Sequence, residues 1–132
     1  MHRGLLSLIA MLMIPNGARA CTMPVGWTPL TPDVHHEAQA AIHVATHPVP
    51  VSQPFDTHIW ICADASPETV SVSAIMPAQQ HGMNYRPAIF ANDDGTFLAS
   101  GMVFHMPGDW RIEVAVQLAS GTVYFSSGLI AR

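Results

Sequence analysis

From Phe55 onwards the chain alternates apolar and polar residues with a period of two, the pattern of strands that bury one face. Phe55, Thr57, Ile59 and Ile61 fall on one face of such a run, with His58, Trp60 and Cys62 on the other. Val70, Val72, Ala74 and Met76 alternate with Thr69, Ser71 and Ser73, and Trp110, Ile112, Val114, Val116 and Leu118 alternate with Arg111, Glu113 and Gln117. Turn signals separate the runs. Asn92-Asp93-Asp94-Gly95 lies between Ala88-Ile89-Phe90 and Phe97-Leu98, and Ala119-Ser120-Gly121 lies between the Trp110 run and Thr122 to Phe125. Both read as hairpins, because Asn, Asp and Gly accept the backbone conformations of tight turns. Six or seven short strands without a strong helical period predict an all-β fold, an antiparallel immunoglobulin-like β-sandwich.

The region before this pattern has a different character. Residues 21–54 are rich in proline, threonine and histidine, and the prolines between Pro24 and Pro50 exclude one long helix. The segment reads as an N-terminal arm, extended from Thr22 to Pro32, with a brief helical turn near Asp33 to Ala38 and a first strand over Ala41 to Ala45. The sandwich domain itself is assigned to 55–132.

Residues 1–20 read as an export signal: Met1-His2-Arg3 is a short basic start, Leu5 to Ile14 an apolar run, and Ala18-Arg19-Ala20 a small-x-small cleavage site. The apolar run is about half the ~20 residues of a membrane span, so cleavage and a periplasmic location are expected, with no membrane span in the mature chain. A lipoprotein acylated at Cys21 is the weaker rival, since Ala18 and Arg19 do not fit a lipid-attachment signal. Beyond the signal only Arg86, Arg111 and Arg132 are basic, there is no lysine, and nine carboxylates remain. That balance disfavours nucleic acid and anionic lipid as partners. In an oxidising compartment Cys21 and Cys62 are expected to form a disulfide, with thiolate metal ligation as the alternative.

Chemistry concentrates in two segments punctuated by proline and glycine, Met76-Pro77-Ala78-Gln79-Gln80-His81-Gly82-Met83 and Phe104-His105-Met106-Pro107-Gly108. Thioethers and imidazoles suit soft and borderline metals, reduced copper above all. His81 and Met83, two apart, point to one face if the backbone is extended. With His105 they form the central trio, and Met76, Met102 and Met106 compete for a further place. The plainer reading makes His105 a core histidine bonded to a backbone carbonyl, His81 a solvated loop residue, and the methionines core packing. A second set, His35, His43 and His47, is spaced at multiples of four and aligns only on a helix, which Pro48 and Pro50 oppose.

The ordered pattern Met76-Pro77, His81-Gly82-Met83-Asn84-Tyr85, Pro87, Asp94-Gly95, Phe97, Gly101-Met102, Phe104-His105-Met106-Pro107-Gly108 and Trp110 resembles the YtkA-like/FixH-like family of small exported or membrane-tethered bacterial β-sandwich domains. The resemblance covers roughly Phe55 to Tyr124. It implies copper association or an accessory role in respiratory oxidase assembly, with an oxidase-assembly or copper-handling protein as partner. Many members carry Met-Pro-x-His-x-His-Gly-Met, and here Gln79 replaces the first of those histidines.

Enzymatic activity is not expected. The chain lacks a nucleophile elbow, an HExxH helix, a phosphate-cradling glycine loop and a CxxC pair, and Asp93 and Asp94 sit in a turn that selects Asp for its backbone geometry. The sequence therefore predicts an exported copper-binding or copper-trafficking domain. A protein-interaction module in respiratory-complex assembly is the alternative, and a ligand pocket between the sheets would require a large apolar cavity.

Overall fold

The structure, a computed structural model, describes residues 21–132, so the predicted export signal lies outside the described residues. Ten strands form: β1 (Thr28–Pro29), β2 (Thr31–Pro32), β3 (Gln39–His43), β4 (Phe55–Cys62), β5 (Thr69–Met76), β6 (His81–Gly82), β7 (Ala88–Ala91), β8 (Phe97–Met102), β9 (Gly108–Leu118) and β10 (Gly121–Ala131). They pair into two antiparallel five-stranded sheets, ordered β1-β3-β4-β8-β7 and β2-β10-β9-β5-β6. The all-β sandwich expected from the alternation is the fold.

The core is the set of positions that the period-two pattern turns inward. Val70, Val72, Ala74 and Met76 of β5, and Trp110, Ile112, Val114, Val116 and Leu118 of β9, are buried together with Ile42, Ile59, Ala99, Met102, Phe104 and Phe125. The hairpin turns fall where predicted, with β7 and β8 joined through Asn92 to Gly95 and β9 and β10 through Ala119-Ser120.

Three local expectations change. Residues 33–38 form bends rather than a helical turn, and no helix forms among the described residues. The first substantial strand is Gln39–His43, shifted from the expected Ala41 to Ala45. The last strand runs on to Ala131, although Ser126-Ser127-Gly128 interrupts its hydrophobic pattern, because its whole length is matched residue for residue with β9. The arm segment contributes to both sheets: β1 pairs with β3, and β2 pairs with β10. Its two strands are only two residues long, as their prolines dictate, since proline offers no donor to a ladder.

Cys21 and Cys62 form a disulfide with Cα atoms 6.0 Å apart. It fastens the start of the described chain to the end of β4, and it is compatible with an oxidising compartment. No helix among the described residues is long and apolar enough to cross a membrane.

Candidate metal centre

The two Met/His segments meet at one end of the second sheet. β5 ends on buried Met76, and Pro77 to Gln80 turn the chain back so that His81 pairs directly opposite Met76. The turn is closed by the Gln79 amide donating to the Met76 carbonyl at 3.2 Å, with Gln80 in the left-handed region at φ 48°. Directly opposed residues in an antiparallel pair project to the same face. His81 therefore lies on the face along which Met76 enters the core. Met83 follows two residues later; its amide donates to the Ala74 carbonyl at 3.2 Å, and its side chain packs half-buried against the core.

The second segment is held from below. Phe104 is fully buried, stacked on Trp110 with ring centres 4.4 Å apart and planes 1° from parallel. The Trp110 indole N–H donates to the Met106 carbonyl at 3.0 Å. These two contacts tie the start of the segment, Phe104 to Met106, to Trp110 at its end. Gly108, at φ +132°, completes the turn, and the Met76 methyl lies so close that a Cβ at position 108 would sit 2.8 Å from it.

Between the segments, the His81 and His105 rings lie 4.7 Å apart. His105 also meets Trp110 edge-on at 5.5 Å. Both His105 ring nitrogens are buried, and neither has a hydrogen-bonding partner among the described residues. The plain reading of His105 as a core histidine bonded to a backbone carbonyl is therefore not what the fold provides. Two imidazoles sharing an ion held about 2.0 Å from one nitrogen of each have ring centres about 4.5 Å apart when the ligands are at right angles, rising to about 6.4 Å when they are in line. The observed spacing falls inside that range.

Among the described residues no three of His, Cys, Asp and Glu gather closely enough to hold an ion. The methionines that the two segments carry are the remaining candidate donors. Met76 stands opposite His81 in the ladder, Met83 shares its strand face, and Met106 is half-buried next to His105. That is a soft donor set. Met102 is different: it is fully buried in the core, and its sulfur accepts a hydrogen bond from the Thr57 hydroxyl at 3.1 Å. The structure does not assign it to the pair. Gln79 is exposed in the turn. Both cysteines are consumed by their disulfide, which removes thiolate ligation.

The second histidine set does not assemble as its spacing suggested. Without a helix, His35 and His47 stand exposed in irregular segments, whereas His43 ends β3 and faces His58 across the ladder to β4. The pairing of His43 with His58 was missed from sequence because it depends on which strands become neighbours. The available signal was that both residues occupy outward positions of the alternation. An open cleft of about 700 Å³ lies at the opposite end of the sandwich from His105, lined by Cys21, His36, Gln39, Cys62, Asp64 and Leu118. No family model, curated protein or solved structure matches the chain.

Proposed function

We propose that this protein is an exported copper-binding or copper-trafficking domain that holds a reduced ion between His81 and His105 on an immunoglobulin-like sandwich. The observation that carries the reading is the His105 ring, which has two buried, unpartnered nitrogens and faces a second imidazole at 4.7 Å. Burying a polar group without a partner costs free energy, and a bound cation is one way to recover it. Thioethers on the same strand face favour Cu⁺ over harder ions. The resemblance to YtkA-like/FixH-like domains points the same way and suggests an oxidase-assembly or copper-handling protein as recipient.

Ascorbate-reduced copper, titrated in competition with a chromophoric Cu⁺ chelator, tests the assignment. The wild type is expected to bind one ion at this site. The His81→Ala/Met83→Ala variant and the His105→Ala variant are each expected to bind at least about tenfold more weakly, the loss that removal of even a supporting partner causes at a metal site. Equal affinity for wild type and variants would end the reading. A protein-interaction role in respiratory-complex assembly would then take its place, with the exposed Tyr85 (67%) and Phe90 (55%) on the segment leading away from His81 as its contact residues.

A further inference from the structure

On the outer face of the first sheet, three rings gather that the Met/His site does not use. His43 of β3 and His58 of β4 are direct cross-strand partners, and their ring centres are 6.3 Å apart. Trp27, just before β1, lies beside both, at 5.7 Å from the His43 ring and 6.5 Å from that of His58. The alternation explains the placement. Ile42 and Ile59, the next residues along β3 and β4, are buried in the core, so His43 and His58 must point outward. His43 is half-buried and His58 exposed.

The electrostatics of this face favour a cation. Asp94, in the β7–β8 turn, lies within electrostatic reach of His58, and Asp56 follows the same outward alternation two residues before His58 on β4. Asp94 is already bonded to Thr96, and Asp56 accepts from the Gly101 amide at 3.2 Å, so both act through charge rather than as ready ligands. The face of an indole adds a cation-attracting quadrupole.

From this arrangement we infer a second metal site, independent of the His81/His105 reading, at which His43 and His58 bind a divalent transition-metal ion with Trp27 beside it. The ring spacing is the one two imidazoles adopt on opposite sides of an ion, about 6.4 Å for nitrogens held about 2.0 Å from the metal. Tetragonal ions accept that in-line arrangement and fill their remaining positions with water; Cu²⁺ is both tetragonal and the strongest binder in the divalent series. No thioether belongs to the cluster. The site thus differs in kind from the Met/His site, being suited to the oxidised ion.

The test uses Cu²⁺ with the full oxidised chain, read by the nitrogen hyperfine pattern in electron paramagnetic resonance and by quenching of tryptophan fluorescence. Wild type is expected to give a two-imidazole spectrum and quenching that includes Trp27. His43→Ala and His58→Ala are each expected to weaken binding at least tenfold, consistent with the loss seen at metal sites that lose a partner. Trp27→Phe should keep the spectrum but lose most of the quenching, and His81→Ala should change neither. His58 is exposed and His43 half-buried on the outer face, and circular dichroism checks that each variant stays folded. The proposal is overturned if His43→Ala/His58→Ala titrates like wild type. It is equally overturned if the signal follows His35→Ala/His36→Ala or His81→Ala instead.

Discussion

A buried ring nitrogen without a partner is destabilising, by about 1–3 kcal/mol for each unsatisfied group, and half-buried His105 carries two of them. Under the proposed function, that cost is recovered by the ion the residue would hold. Replacing it with an apolar side chain of similar size removes the unsatisfied groups without opening a large void. His105→Leu is therefore expected to leave the metal-free protein as stable as wild type or up to about 1 kcal/mol more stable, measured by urea denaturation, while abolishing the stability gained on adding Cu⁺. A loss of metal-free stability above about 2 kcal/mol would instead mark His105 as a packing residue. Gly108 is the complementary case. Its φ of +132° strains any side chain, and a Cβ there would stand 2.8 Å from the Met76 methyl. Gly108→Ala should cost about 1–3 kcal/mol, mostly from the backbone conformation, because the tip of Met76 is flexible enough to move aside. Displacing that thioether should also weaken Cu⁺ binding, which the chelator competition reads directly.

At the scale of elements, the turn between β7 and β8 offers a pH-dependent test. Asp94 accepts hydrogen bonds from the Thr96 hydroxyl at 2.6 Å and the Thr96 amide at 3.0 Å. Those bonds favour the ionised carboxylate and hold its pKa below the ordinary 3.8. A carboxyl whose folded pKa is depressed stabilises the fold above its unfolded pKa and loses that contribution as pH falls through the folded value. The hairpin should thus be unaffected from neutral pH down to about 4 and loosen only below it. Amide exchange at Thr96 as a function of pH measures this, and protection that already falls between pH 7 and 5 would contradict it. The same scale separates what was legible in the sequence from what was not. β5 and β9 were legible because one face of each is wholly apolar and the other polar apart from Ile75 and Ala115, and burial follows that alternation. β1 and β2 were not, because two-residue strands carry no period, and they exist only because β3 and β10 present edges to them. The far half of β10 was hidden by Ser126-Ser127-Gly128, which pairing with β9 overrides. The Met/His segments declared themselves by residue type, but whether His81 and His105 converge was left open by the sequence, because it depends on which strand ends become neighbours. The exclusion of Met102 depended on Thr57, a partner 45 residues away.

Across the whole molecule, the Met/His site and the disulfide occupy opposite ends of the sandwich. β9 starts at Gly108, beside Met76, and ends at Leu118, which lines the cleft containing Cys21 and Cys62. Eleven residues of extended chain put roughly 30 Å between them. The disulfide closes a loop with a sequence separation of 41, and constraining such a loop in the unfolded chain contributes up to about 4 kcal/mol. An ion held at the proposed site would stabilise through a separate route, by about 2.7 kcal/mol when free ion exceeds its dissociation constant a hundredfold. Perturbations this far apart, with no shared partners, add to within about 0.5 kcal/mol. The Cys21→Ser/Cys62→Ser variant should accordingly lose stability throughout, yet gain as much as wild type when Cu⁺ is added. Serine rather than chemical reduction is the right perturbation, since free thiols would themselves bind Cu⁺. Urea titrations of both proteins with and without the ion give the four stabilities required. A copper-dependent gain that shrinks by more than about 1 kcal/mol in the serine variant would mean that the bridge shapes the distant site. An unchanged gain would mean that the β5–β6 turn and the β8–β9 connection hold His81 against His105 without help from the bridge.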